Sequence, residues 1–271
     1  MAKSYNARRR DDLAPGATPA GRVECTGLPL PVRPVRFRCH SPFPAQLLPR
    51  TTMEHVNLVF VGHVDSGKST LCGQLLVQSG AVDEREVEKL RAKAKENNRE
   101  SWWLAYLLDT DDDERARGKT VHVGRAAFEG ATRRYVILDA PGHRSYVPNM
   151  IAGACQADVA VLMISARKGE FEAGFERGGQ TREHMLLCRA LGVQHVVVAV
   201  NKMDDPTVGW SAERLAECRD GARALLRRYG FRDRELHFVP LSALAGHDAS
   251  SKSQSLHSRH FTQKFVFLCV T

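Results

Sequence analysis

One segment of the chain has the residue types and spacing of a phosphate-binding loop. It runs from Gly62 to Ser69 and fits the pattern G-x-x-x-x-G-K-S. The apolar run from His55 to Val61 predicts a buried strand before it, and Thr70 to Gln78 predicts a helix after it. Glycines let backbone N–H groups face phosphates, and a helix N-terminus adds partial positive charge. We therefore predict that nucleotide phosphates contact Gly62, His63, Val64, Asp65, Ser66, Gly67, Lys68, Ser69 and Thr70.

Two side chains of this loop have predicted chemical roles. Lys68 is expected to reach the β- and γ-phosphates, and the hydroxyl of Ser69 is expected to ligate Mg²⁺. Kinases, ATPases and GTPases all use such a loop, so it leaves the identity of the nucleotide open.

A second segment, Asp139-Ala140-Pro141-Gly142-His143, follows a predicted strand from Tyr135 to Leu138. A carboxylate at the C-terminal end of a strand beside the phosphate-loop strand can hold Mg²⁺ through water, which is the role predicted for Asp139. The N–H of Gly142 is expected to meet the γ-phosphate. Because phosphoryl transfer leaves a protein mainly the task of orienting the attacking water, we predict that role for His143.

Thr120 is the candidate for a second protein ligand on Mg²⁺. It lies in the polar stretch Glu114 to Val121, before a predicted strand near Arg125 to Phe128. Such a stretch suits a loop that orders around the γ-phosphate and Mg²⁺. A single threonine in a charged loop is usually only solvated, so the residues alone leave this assignment open.

A third group of residues predicts recognition of guanine. The apolar run His195 to Val200 leads into Asn201-Lys202-Met203-Asp204. The Asp204 carboxylate can accept hydrogen bonds from the guanine N1–H and exocyclic amine, and adenine does not offer that arrangement. Asn201 can bond the O6/N7 side and tie loops together, and the Lys202 stem can lie along the base. After a further predicted strand, Leu236 to Val239, backbone N–H groups can meet O6 from Ser242, Ala243 and Leu244.

Composition places the chain among globular proteins with an unusual N-terminal segment. The 271 residues are 43% hydrophobic, which supports a real core, and they lack any apolar run long enough to span a membrane. Residues 1–53 hold nine Lys/Arg against three Asp/Glu, so most of the net charge of +8 lies there. This Pro- and Arg-rich segment is predicted to be disordered. It is either a solvated tail, an RNA- or ribosome-contacting arm, or an organellar transit segment.

Seven scattered cysteines without a C-x-x-C pair indicate a reducing compartment.

The order of predicted elements defines the expected fold. Continuous apolar runs, such as Asp158 to Ile164, predict strands that are covered on both faces. They alternate with predicted helices at Asp83 to Asn97, Thr181 to Leu191 and Ser211 to Tyr229. This alternation predicts an α/β fold of three layers, with a mostly parallel sheet and ligands at the strand C-termini. Together with the phosphate-binding and guanine-recognition motifs, it predicts a P-loop GTPase domain. The aromatic residues Trp102, Trp103 and Tyr106 are predicted to pack in the fold rather than to take part in recognition.

Beyond these motifs the chain resembles one family of translational GTPases. The similarity extends over roughly residues 54–246 and includes Glu54-His55-Val56-Asn57 before the phosphate loop. It also includes Asp109-Thr110, Gly118-Lys119-Thr120-Val121, the segments Asp139 to Met150, Ser165 to Glu172 and Gly178 to His184, and finally Asn201 to Val208. On these residues the chain resembles the GTP-binding subunit of the eukaryotic peptide chain release factor. Gly118-Lys119-Thr120 favours this subunit over the tRNA-delivering elongation factors, which tend to carry Gly-Ile-Thr there.

The resemblance implies a set of roles and partners. By the family pattern Thr120 ligates Mg²⁺, His143 orients water and Val64 helps to gate it. The resemblance also implies a cytoplasmic monomeric enzyme that converts GTP to GDP and phosphate, slowly without its partners. Those partners are the stop-codon-recognising release factor and the ribosome, with neither DNA nor a membrane among them.

The ends of the chain depart from the family pattern. We expect a basic, disordered extension at residues 1–53, the GTPase domain at 54–248, and a divergent tail at 249–271 in place of the last helix and two β-barrel domains. A truncated or alternatively spliced form is therefore expected, with weakened binding of the release factor. The alternatives are a ribosome-rescue GTPase, an elongation-factor-like GTPase, and a truncated GTP-binding module without catalysis.

Overall fold

The computed structural model describes residues 53–109, 120–130, 132–175 and 179–248. The expectations for residues 1–52 and 249–271 lie outside these ranges, as do Gly118 and Lys119 of the first predicted loop. The fold below is that of the described residues.

Strands in the described residues form one seven-stranded sheet, with the spatial order β2-β3-β1-β4-β5-β6-β7. They are β1 (Glu54–Gly62), β2 (Gly124–Glu129), β3 (Arg133–Asp139), β4 (Val159–Ser165), β5 (His195–Asn201), β6 (Leu236–Ser242) and β7 (His247–Asp248). The central strands β3, β1, β4, β5 and β6 run parallel, whereas β2 and β7 lie antiparallel at the two edges.

Helices connect the strands. They are α1 (Lys68–Ser79), α2 (Glu84–Glu96), α3 (Val147–Ala154), α4 (Glu170–Phe175), α5 (Gln180–Ala190) and α6 (Ala212–Arg228). Short 3₁₀ turns lie at Glu100–Trp102, Ala105–Leu107, Arg144–Tyr146 and Asp233–Glu235. Local sequence sets two of the ends: Gly80, at φ +76°, closes α1, and the Ser211 hydroxyl accepts from the backbone N–H of Arg214 at the start of α6.

The core has two apolar layers, one on each face of the sheet. Along β1 the side chains alternate: Val59 and Val61 belong to one layer, and Leu58 and Phe60 to the other. The first layer is completed by α3, α5 and α6, and the second by α1. Because both faces are covered, the strands have continuous apolar sequences, and the predicted three-layer α/β fold with a mostly parallel sheet is confirmed.

The parallel arrangement collects the strand ends at one edge. β1 ends at Gly62, β3 at Asp139, β5 at Asn201 and β6 at Ser242. The register pairs Phe60 with Asp139 across β1 and β3. The predicted motif segments that follow these four strands therefore meet along one side of the domain.

Two further predictions concern cysteines and membranes. Within the described residues Cys72, Cys188 and Cys218 are buried, Cys155 is exposed, and all four are free thiols. Across the same ranges, none of the helices combines the length and the apolar character that a membrane-spanning segment requires.

Candidate nucleotide-binding site

A cleft of about 510 Å³ opens at the C-terminal edge of the parallel strands. Most of the side chains that the motifs predicted for the site line it: Val64, Asp65, Gly67, Lys68, Ser69, Thr70, Thr120, Gly142, His143, Asn201, Lys202, Asp204, Ser242 and Leu244. The remaining predicted residues, which do not line the cleft, are Gly62, His63, Ser66, Asp139 and Ala243. The fold therefore assembles segments that lie as far as 180 residues apart in the chain into one concave surface.

The loop between β1 and α1 has the backbone conformation that a phosphate cradle needs. Gly62, Asp65 and Gly67 have φ values of +146°, +58° and +93°, and this left-handed region favours glycine. A Cβ atom on Gly67 would come within 2.3 Å of the Asn201 amide nitrogen. Glycine is required here by both the backbone angle and the lack of space.

Lys68 lies beneath this loop and its ammonium group bonds to the loop itself. Nζ donates to the carbonyl oxygen of His63 at 2.9 Å and to that of Gly62 at 3.4 Å. Burial lowers the pKa of Lys68, and the nearby carboxylates of Asp139 and Asp65 oppose that shift. The ammonium is thus held at the floor of the cleft, where an anionic ligand would compensate its desolvation.

Two hydroxyl groups from distant loops meet beside Lys68. Ser69 Oγ and Thr120 Oγ1 lie 3.2 Å apart although 51 residues separate them in the chain. Thr120 Oγ1 donates to Asp109 Oδ1 at 3.1 Å. Asp109 is buried and lines the same cleft. Among the described residues these oxygen donors, with the buried Asp139 carboxylate nearby in β3, have the hard-ligand chemistry that suits Mg²⁺.

Asp109 was not predicted as a site residue. Asp109-Thr110 belongs to the segments that resemble the release-factor subunit, but that resemblance gave Asp109 no role. Its place in the cleft and its contact with Thr120, eleven residues later, indicate one.

The turn after β3 places Gly142 and His143 at the wall of the cleft. A Cβ atom on Gly142 would lie 2.5 Å from Lys68 Nζ, so only glycine lets the turn approach the lysine this closely. His143 is half-buried, and its Nδ1 accepts from the backbone N–H of Ser145 at 3.2 Å. In the neutral imidazole this contact leaves the proton on Nε2. The ring orientation is therefore set by its own turn.

At the other end of the cleft Asn201 joins two loops. Its Nδ2 donates to the carbonyl oxygen of Ser66 at 2.8 Å, and its Oδ1 accepts from the backbone N–H of Ala243 at 2.9 Å. The side chain is buried, so both bonds are protected from water. Asp204 follows as an exposed carboxylate that also lines the cleft.

Charged side chains hold the segment that follows Asn201. Lys202 has a φ of +62°, and its Nζ lies 2.6 Å from Glu170 Oε2. Arg167 pairs with Asp205 at 2.5 Å and with Glu170 at 3.3 Å. Hydrogen bonds from Thr207, together with Arg167, lower the pKa of Asp205 to about 2. Sequence reasoning did not predict Arg167, which lines the cleft.

Trp102 also lines the cleft, where packing alone was predicted for the aromatic segment. The guanidinium of Arg99 lies 4.4 Å from its ring centroid, and that of Arg91 lies 4.5 Å from the Trp103 ring. Tyr106 is fully buried, as expected of a packing residue. The burial of Tyr106 thus agrees with the packing prediction, whereas the position of Trp102 at the cleft was not predicted.

The fold and the cleft together define a P-loop GTP-binding domain of the translational class. The sequence model described as the elongation factor Tu GTP binding domain matches residues 53–263. The chain belongs to this family of GTP-binding domains.

Curated relatives place the chain near one branch of that family. It is 55% identical over 204 residues to the eukaryotic peptide chain release factor GTP-binding subunit of Schizosaccharomyces pombe, covering 74% of this chain and 31% of the relative. It is 55% identical over 196 residues to the subunit of the same name from Dictyostelium discoideum, covering 72% and 35%. The chain thus spans about a third of the length of these relatives.

Solved structures agree with this placement. A crystal structure of sup35 complexed with GMPPNP shares 41% identity and a TM-score of 0.54, over 81% of this chain and 47% of that one. The Ski7 GTPase-like domain of S. cerevisiae, bound to GDP and inorganic phosphate, has a TM-score of 0.68 at 20% identity, over 80% and 50%. The Ski7 likeness shows the fold alone.

Proposed function

We propose that this chain binds GTP in the cleft and hydrolyses it as the nucleotide domain of a peptide chain release factor. One observation carries the nucleotide assignment. Asn201 bonds Ser66 in the phosphate loop and Ala243 in the loop after β6, which is the loop proposed to contact the base. The distance between these two loops is therefore fixed by one side chain. A nucleotide whose base and phosphates fit that spacing would meet both loops where this side chain already holds them.

The phosphate end of the site follows from the loop geometry. Backbone N–H groups from Asp65 to Thr70 bind the phosphates with the N-terminus of α1. Lys68 exchanges its two backbone carbonyl partners for the β- and γ-phosphate oxygens, and this exchange replaces neutral acceptors by charged ones. At the base end Asp204 accepts from guanine, and Ser242, Ala243 and Leu244 donate to O6 through their backbone.

Mg²⁺ would be held by Ser69 and Thr120, with Asp139 bonded through water. When bound, Mg²⁺ neutralises charge that develops on the β- and γ-phosphates. Support comes from the 3.2 Å approach of the two hydroxyl groups. In the protein itself, Asp109 orients Thr120 by accepting a hydrogen bond from its hydroxyl group.

Hydrolysis would depend on His143 and Val64. Both residues line the cleft on the side of Lys68. His143 holds the attacking water through Nε2–H, since its Nδ1 is bonded to Ser145. Val64 narrows the approach of that water, and the Gly142 N–H meets the γ-phosphate.

The termination role is proposed from the relatives. The partners would be the stop-codon-recognising release factor and the ribosome, and the location would be the cytoplasm. Residues 54–248 would form the nucleotide domain. The identities of 51–55% to the GTP-binding subunits, over 193 to 204 residues, support this role.

Binding of labelled GDP and GTP to the purified chain with Mg²⁺ tests the nucleotide assignment. We expect guanine-selective binding that Asp204→Asn weakens at least tenfold, because the amide no longer accepts two hydrogen bonds. The same variant should gain affinity for xanthosine diphosphate, because the O2 atom of xanthine can accept from the amide group that the substitution introduces. Asp220→Asn on the exposed face of α6 is the matched control. Equal binding of adenine and guanine nucleotides would contradict the assignment.

A second experiment tests the termination role. GTP hydrolysis by the chain is measured with ribosomes and the stop-codon-recognising factor, together and separately. Stimulation only when both are present supports the proposal. If a protein that recognises stalled ribosomes stimulates GTP hydrolysis instead, a ribosome-rescue function is favoured. If the chain binds guanine nucleotides but its hydrolysis is not stimulated, a non-catalytic module is favoured.

A further inference from the structure

Gln180 is the first residue of α5 and lies between the phosphate loop and the turn that carries His143. With its amide nitrogen toward His63, it donates to His63 Nδ1 at 3.0 Å and to the carbonyl oxygen of Gly142 at 2.9 Å. Its amide oxygen accepts from the backbone N–H of Arg144 at 3.0 Å. The two amide protons and the oxygen are therefore all engaged.

The two backbone partners of Gln180 flank one residue. Gly142 precedes His143 in the chain, and Arg144 follows it. Gln180 thus holds the peptide groups on both sides of His143, while Ser145 fixes the ring through Nδ1. A side chain that bonds both neighbours of a residue restrains the position of its Cα atom.

The start of α5 is itself held in place. A Cβ atom on Gly179 would lie 2.4 Å from the carbonyl oxygen of Gly174, so this turn approaches α4 as closely as backbone allows. One helical turn after Gln180, His184 is buried and its Nδ1 accepts from the backbone N–H of Gly62 at 3.3 Å. Gln180 and His184 lie four residues apart on one face of α5, and both therefore contact the phosphate-loop segment.

We propose that Gln180 is a positioning residue for hydrolysis: it fixes the Gly142-His143-Arg144 turn against the phosphate loop through His63. This inference rests on the proposed GTPase function, because the turn matters for catalysis only if His143 orients water. A small displacement of a group that orients a reactant lowers the rate of the chemical step more than it lowers binding. Gln180 does not line the cleft, so it acts through its neighbours.

Two substitutions of Gln180 distinguish the hydrogen bond that its side chain accepts from the two that it donates. Gln180→Met has similar length and makes none of the three bonds, whereas Gln180→Glu keeps an acceptor for the Arg144 N–H and loses both donors. Gln194→Met, in the exposed connection before β5, is the matched control. We measure single-turnover GTP hydrolysis at saturating GTP, the Kd for GDP, and amide hydrogen exchange of Arg144 by NMR in the GDP-bound chain.

We expect Gln180→Met to lower the hydrolysis rate about tenfold and to change the Kd for GDP less than threefold. Exchange of the Arg144 amide should accelerate about tenfold or more in Gln180→Met and stay near the wild-type rate in Gln180→Glu. The control variant should match the wild type in every measurement. An unchanged hydrolysis rate in Gln180→Met would overturn the proposal, and so would equal losses of rate and GDP affinity.

The exchange measurement keeps the two proposals apart. If the wild-type chain binds GDP but does not hydrolyse GTP, the proposed GTPase function is wrong, and with it the positioning role of Gln180 in hydrolysis. Protection of the Arg144 amide that depends on Gln180 would then still identify the bond. Protection that is the same in Gln180→Met would remove the structural basis of the inference.

Discussion

The side-chain amide of Asn201 donates to the backbone carbonyl of Ser66 at 2.8 Å, across 135 residues of chain. This bond joins the end of β5 to the phosphate loop at the end of β1. The oxygen of the same amide accepts from Ala243 after β6. One buried side chain thus connects three segments of the cleft, and the absence of a Cβ on Gly67 makes the space for it.

Replacement of Asn201 by alanine should affect both affinity and stability. The buried Ser66 carbonyl and Ala243 N–H would lose their partner, at about 1–3 kcal/mol for each group. We expect the affinity for GDP to fall at least tenfold, with a free energy of unfolding lowered by about 2–4 kcal/mol. Titration with fluorescent GDP and urea denaturation measure the two effects. Gln194→Ala, in the exposed connection before β5, is the control. An Asn201 variant with wild-type affinity would contradict the connecting role.

Gln78 should influence recognition of the base, although it lies in α1. Its Nε2 donates to the carbonyl oxygen of Gly246, behind the loop proposed to meet O6. Because Gln78→Leu removes this bond, we expect the Kd for GDP to rise about fivefold, the equivalent of one hydrogen bond. A 2-aminopurine nucleoside diphosphate, which lacks O6, should lose less affinity. Gln194→Leu, in the exposed connection before β5, serves as the comparison; equal losses for both ligands would show that the loop does not read O6.

Thr120→Val tests the Mg²⁺ assignment. The variant keeps the shape of the side chain and removes the oxygen that contacts Ser69 and Asp109. We expect the affinity for GMPPNP to fall at least tenfold in the presence of Mg²⁺, with a smaller change for GDP. When a chelator removes Mg²⁺, the variant and the wild type should bind GMPPNP with the same affinity. Thr132→Val on the exposed turn before β3 is the control. A difference that persists in the chelator would mean that Thr120 acts without the metal.

His184 should make stability depend on pH. Burial, with the charges of Lys68 and His63 nearby, lowers the pKa of His184 to about 3 from 6.5. Between these values the unfolded chain binds a proton that the folded chain does not, so the free energy of unfolding falls as the pH falls from 6.5 toward 3. The slope from this group reaches about 1.4 kcal/mol per pH unit.

His184→Asn keeps an acceptor for the Gly62 N–H and removes the titration. Urea denaturation between pH 7 and pH 5 should therefore give a shallower pH dependence for this variant than for the wild type. His195→Asn, at the exposed start of β5, controls for removal of any histidine. Parallel curves for His184→Asn and the wild type would show that His184 titrates normally in the folded protein.

The sequence by itself determined the sheet and the motif loops. Runs such as His195 to Val200 predict buried strands because a strand covered on both faces leaves no place for polar side chains. Gly62, Gly67 and Gly142 were predictable because a phosphate cradle and a close turn impose backbone conditions that glycine alone meets. These are local requirements, and they are therefore visible in a local pattern.

Tertiary structure alone decided which side chains support the motifs. These residues lie in segments that carry the family resemblance, but the sequence does not show their pairing. The bonds in question join Thr120 to Asp109, Gln180 to the turn at His143, and Arg167 to Asp205. Each partner is a common polar residue, and its role depends on which loops the strand order brings to one edge of the sheet. Position in space, rather than residue type, gives these side chains their function, because a hydrogen bond depends on a distance that the linear sequence does not contain.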